Sequence, residues 1–104
     1  MVNSRLFEKW IKENISTLNM ELAKCRFKVN KYQKIRSGKM FVFTRLNGID
    51  YDRADRILET IEEVEKRAHW EQMDFPKRDK RDKWVYYGII TACEDAKIML
   101  KALS

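Results

Sequence analysis

Apolar side chains recur along the first third of the chain at intervals that keep them on one side of a helix. Phe7, Ile11, Ile15, Leu18, Leu22, Cys25, Val29 and Tyr32 follow one another three or four residues apart, a seam close to a heptad repeat. Neither Gly nor Pro interrupts the stretch from Ser4 to Ile35, and Asn3 or Ser4 can cap its start. The pattern predicts one helix over about 4–35. At 1.5 Å per residue it would be roughly 45 Å long. A domain of this size, with a radius of gyration of ~13 Å, covers such a length poorly. Ile11, Ile15, Leu18 and Leu22 are therefore expected to form a seam between subunits of a homodimer or higher homo-oligomer, with a kink in the helix as the competing solution.

Ser37 and Gly38 read as the end of this helix. Lys39 to Leu46 then contains Phe41, Val42, Phe43 and Thr44, which favour strand, and Asn47-Gly48 closes it. No second convincing strand follows, and a solitary strand leaves its backbone hydrogen bonds unmade. A short apolar linker or short helix at about 39–46 is preferred to a single strand pairing with its copy.

Two more helices are expected. Asp50, Asp52 and Asp55 place acids where the second begins, and Ala54, Ile57, Leu58, Ile61, Val64 and Ala68 supply its inner face over about 51–71. Asp74-Phe75-Pro76 ends it. The third, about 80–103, has one apolar face of Val85, Ile89, Ala92, Ala96, Met99 and Leu103 and a neighbouring one of Tyr86, Ile90 and Cys93. Such wide coverage places it centrally. Gly88 in its interior costs roughly 1 kcal/mol relative to Ala, which points to close approach of another backbone. The expected fold is mainly α: a single domain over 1–104, a three-helix bundle with a long first helix.

Composition narrows the function classes. The 104 residues include only 3 Gly and 1 Pro, too few for an all-β domain with a turn every ~8–12 residues. No apolar run approaches the ~18 residues of a membrane span, and the start of the chain lacks the apolar core of a signal peptide. Two cysteines are too few for a disulfide framework, so a cytoplasmic setting is expected. Catalysis is not expected. His69 has Glu65 four residues before it rather than the Glu-x-x-His spacing of di-iron bundles. Cys-x-x-Cys, His-Glu-x-x-His and Gly-rich phosphate loops do not occur. Cys25 and Cys93 read as buried, Glu59, Glu62, Glu63 and Glu65 as a solvated face or a partner for basic residues. Neither a metal nor a cofactor is expected.

Charge adds the most specific signal. The net charge of +6 is unevenly placed. Between Leu22 and Ile49 there is no acid, while Lys24, Arg26, Lys28, Lys31, Lys34, Arg36, Lys39 and Arg45 accumulate; residues 50–65 reverse the sign, and 77–83 read Lys-Arg-Asp-Lys-Arg-Asp-Lys. A segregated basic block is the footprint of a polyanion. On one continuous helix Lys24, Lys28 and Lys31 form a narrow stripe, extended by Lys34 and Arg36. Lys80, Arg81 and Lys83 lie where a helix begins, with Trp84 and Tyr87 as flat surfaces on which a base can stack. The expected function is a small non-enzymatic basic helical protein that contacts nucleic-acid phosphates. Two alternatives stand beside it. One is an interaction or inhibitor module, of the virus or mobile-element accessory type, that meets an acidic protein surface. The other is an oligomeric binder of a small phosphorylated nucleotide.

Overall fold

A computed structural model describes residues 3–24, 30–74 and 83–103. Those residues form four helices: α1 (Ser4–Ala23), α2 (Lys31–Leu46), α3 (Ala54–Asp74) and α4 (Lys83–Ala102). The protein is mainly helical, but a helical unit more than the sequence pattern suggested. The expected helix over 4–35 is two helices, and 39–46 is the second half of α2.

Local capping explains both starts. The Asn3 side chain accepts a hydrogen bond from the Leu6 N–H at 3.2 Å. Asn30 does the same for the Gln33 N–H at 3.0 Å, satisfying one donor that a helix start leaves unpaired. The β-prone residues of α2 are drawn into the helix by packing. Val42, Phe43 and Leu46 fall on its inner side and are buried, so tertiary burial overrides intrinsic strand preference.

Pairings across the interfaces give the helix directions. Trp10 meets Phe43 edge-on at 5.3 Å between ring centroids, and Glu21 pairs with Arg36 at 2.6 Å, so α1 and α2 are antiparallel. Glu65 holds Lys97 at 2.7 Å and His69 meets Tyr86, so α3 and α4 are antiparallel. Lys31 reaches Trp84, and Ile35 lies against Gly88. Those pairs advance together, so α2 and α4 run in the same direction. The topology is up-down-up-down, with α2 and α4 on the diagonal that such a bundle usually leaves wide.

Here the diagonal is the tightest contact, and α2 and α3, neighbours in sequence, barely touch. Two glycines explain it. A Cβ on Gly38 would lie 2.1 Å from the Val85 carbonyl oxygen, and a Cβ on Gly88 2.1 Å from that of Ile35. Backbone meets backbone at the crossing, as the interior position of Gly88 led us to expect. Gly38, which reads as a helix end, is instead buried in the middle of α2. Its missing side chain permits the approach. α1 and α3 then flank the α2–α4 pair, giving a flat body of 42 × 34 × 19 Å.

The long-helix premise for a subunit seam does not survive. Phe7, Ile11 and Leu18 are buried within one chain because α2 folds back over α1. Ile15 is partly covered by the same core and Leu22 is half-buried; Cys25 and Val29 lie outside the described residues. α4 is as central as its apolar coverage implied, contacting α2 and α3 and accepting a hydrogen bond at its end, from the Asn3 N–H to the Leu103 carbonyl at 2.9 Å. Between α2 and α3, Tyr51 is buried against Phe7, and its hydroxyl donates to the Leu46 carbonyl at 2.7 Å. Gly48 takes a φ of 89° there, in the region open chiefly to glycine.

Candidate nucleic-acid interface

The topology gathers cations from separate segments at one end of the bundle. The C-terminal ends of α1 and α3 and the N-terminal ends of α2 and α4 lie at one end. That end receives Lys24, which caps α1 and is exposed, Lys31 at the start of α2 and Lys83 at the start of α4. The opposite end is mixed in sign: Asp50, Asp52 and, in the first turn of α3, Asp55 share it with Arg5, Arg45 and Lys101. Arg53 holds the Asp55 carboxylate at 3.1 Å and pulls its pKa below the usual carboxylate value. Helix dipoles largely cancel where α1 opposes α2 and α3 opposes α4, so side chains set the sign at each end. The first turns of α2 and α4 contain no acid.

Two basic segments that are distant in sequence meet at this corner. The Lys31 ammonium lies 5.2 Å from the Tyr32 ring centroid and 5.3 Å from that of Trp84. Lys83 lies 5.1 Å from the same Trp84 centroid. The two ammonium groups are thus within roughly 10 Å of each other, about one Debye length at 0.1 M salt, and reinforce one potential. Trp84 also meets Tyr87 edge-to-face at 6.4 Å. Tyr32 and Tyr87 are 57% and 54% exposed, far more than core packing requires.

Other expected site residues are placed differently. The stripe of Lys24, Lys28 and Lys31 required one continuous helix; Lys24 instead ends α1 and Lys31 begins α2. Lys28, Lys80 and Arg81 lie outside the described residues. Lys34 is half-buried within α2. Arg36 is occupied structurally by Glu21. Glu65 of the acidic helix is engaged by Lys97 of α4 and not by the basic block, while Glu59, Glu62 and Glu63 are exposed.

A concave feature elsewhere escaped the sequence pattern. Because α2 and α3 splay, a groove of about 460 Å³ opens between them, floored by Val64, Ala68 and Ile89 and edged by Phe41, Arg45, Glu63 and Arg67. Arg67 bridges Glu71 at 3.2 Å and stands 6.0 Å from the Trp70 centroid. Nothing in the spacing of Phe41 and Arg45 announces this groove, since it follows from the splay.

The potentially reactive groups are subdued. Burial pushes the Cys93 thiol up to about 12, so it is neutral near pH 7 and a poor nucleophile. The Tyr86 hydroxyl and His69 Nδ1 are 2.5 Å apart, with burial first and Glu65 second raising the Tyr86 pKa. No group of three or more His, Cys, Asp or Glu able to hold a metal occurs among the described residues, and no described helix is long and apolar enough to cross a membrane. The chain matches no family model, no curated protein and no solved structure.

Proposed function

We propose that this protein is a non-enzymatic binder of nucleic-acid phosphates that engages them with the basic end of its bundle. The observation that carries this reading is the convergence of Lys31 from α2 and Lys83 from α4 over Trp84, with Lys24 at the same end. In sequence, Lys80 and Arg81 precede Lys83, with Asp82 between, and Lys28 precedes α2. With no acid in the first turns of α2 and α4, these cations repel one another, and a polyanion relieves that repulsion while releasing its own counterions. Side chains of this kind position a backbone and do not read its sequence.

Binding of the full chain to labelled DNA and RNA across a salt series tests the reading. Six phosphates contacted by Lys24, Lys28, Lys31, Lys80, Arg81 and Lys83 give a slope of log K against log salt near −5 on duplex DNA and about −4 on a single strand. Lys31→Glu with Lys83→Glu should weaken binding on every sequence alike. Absence of any complex at low salt would reject the proposal.

The groove between α2 and α3 supports a second reading, an interaction module for an acidic protein surface. Its exposed Phe41 stands beside Arg45 and Arg67, a combination suited to anchoring a protein partner. A single partner recovered by the wild type and lost with Arg45→Glu, without nucleic-acid binding, would favour it. Sedimentation at micromolar concentration tests the expected homodimer or higher homo-oligomer.

A further inference from the structure

Within the reading as a phosphate binder, on which this inference rests, we infer that the corner built by Lys31, Tyr32, Lys83, Trp84 and Tyr87 selects unpaired nucleobases, and so single strands over duplex. Phosphate attraction alone needs only the lysines. It does not account for three aromatic rings around two ammonium groups, two of them more than half exposed.

Exposing large aromatic surface to water is unfavourable. It is repaid when a flat apolar partner covers the ring, and an unpaired base is such a partner with a phosphate on either side. In a duplex the base faces are already stacked on one another and unavailable to the protein. Duplex contact would therefore use the lysines and leave the exposed Tyr32 and Tyr87 rings in water.

Lys31 gives the corner its working order. In the free protein its ammonium lies over Tyr32 and Trp84, covering ring faces that a base would use. An exposed cation–ring contact is weaker than base stacking. An arriving base displaces the ammonium, which then turns to the neighbouring phosphate. Lys83, over the same indole, can answer the phosphate on the other side. Tyr87, edge-on to Trp84, offers a second stacking surface next to the first. The shared chemistry is an unpaired base flanked by phosphates, which DNA and RNA both provide.

The test measures anisotropy of labelled thymidine and uridine oligonucleotides of about 15 nucleotides, and of a duplex of the same length, with the full chain. Single strands should bind about tenfold more tightly than the duplex at equal salt. Trp84→Ala should weaken single-strand binding by roughly 5- to 150-fold and change duplex binding little. Tyr32→Ala and Tyr87→Ala, at exposed positions where folding is not at stake, should reproduce the selective loss in smaller measure. Lys31→Met should reduce the single-strand salt slope by about 0.7 and leave the preference for single strands intact. The relative affinity of the two oligonucleotides identifies DNA or RNA as the source. Equal binding of duplex and single strands, unaffected by the aromatic variants but weakened by Lys31→Glu, would overturn this inference and leave the phosphate reading standing. No binding of any nucleic acid at low salt would remove both.

Discussion

α4 meets its two main partners in opposite ways. Against α2 it presents backbone: Gly38 and Gly88 let carbonyl groups approach where any Cβ would collide. Against α3 it presents side chains: Lys97 reaches Glu65 and Tyr86 reaches His69. The glycine crossing is made by main-chain atoms that do not titrate. The second is adjustable and titratable, and each should fail to its own kind of perturbation.

The largest effect of a single substitution is expected at the crossing. Gly38→Ala and Gly88→Ala each add one methyl group, and helix propensity alone predicts about 1 kcal/mol of stabilisation. The Cβ positions 2.1 Å from main-chain oxygens predict the reverse, because backbone yields less readily than a side-chain tip. We expect a net loss of ~3 kcal/mol for each, read by urea denaturation. The double variant should lose much less than the sum, since one methyl already parts the helices. A stabilised single variant would show that the crossing is looser than described.

The α3–α4 contact should instead respond to alkali. Cys93 is held protonated to about 12 by burial, whereas the unfolded thiol ionises near 9. The unfolded chain thus releases its proton first, and stability falls as pH rises between about 9 and 12, by at most ~1.4 kcal/mol per pH unit for this group. Burial raises Tyr86, and the Glu65 hydrogen bond raises Lys97; both act in the same direction, at higher pH. Thermal melts across this range should show the decline, and Cys93→Ala should delay its onset. An unchanged melting temperature up to pH 11 would contradict it.

Gly48 sharpens the comparison, since a side chain there would meet open space. Nothing lies within 4 Å of a Cβ built there, so Gly48→Ala tests the positive φ alone and should cost about 1–2 kcal/mol. The smallest effect is expected for the Glu65–Lys97 pair. A double-mutant cycle with Glu65→Gln and Lys97→Met should give roughly 0.2–1 kcal/mol, lower in high salt.

Much of the helical content is legible in the sequence, because caps and inner-face periodicity are local signals. Asn3, the acids before Ala54 and the spacing of Ile57, Ile61, Val64 and Ala68 all act within a few residues. The break before α2 is hidden because the apolar spacing runs on through Cys25 and Val29 to Tyr32. Asn30 with Gln33 three residues later is the one signal for it, a cap pattern resembling a capping box. Gly38 misleads for a related reason: glycine serves both to end helices and to let them touch, and only the partner decides which. The lysines of the site are visible one segment at a time. Their convergence on Trp84 is not, because it depends on α2 and α4 being parallel, a relation set by packing between distant segments.

That parallel pairing also governs when the chain can settle. Ile35 and Gly88 are roughly fifty residues apart, and contacts of such separation slow the search for the native state. α2 reaches its main partner only after α3 has returned the chain to the same end. During synthesis, α1 and α2 can form a hairpin early, but the glycine face of α2 has nothing to rest on until α4 has left the ribosome. A nascent chain halted before Lys83 should therefore remain sensitive to protease along α2, and protection should arrive in one step as the last helix emerges.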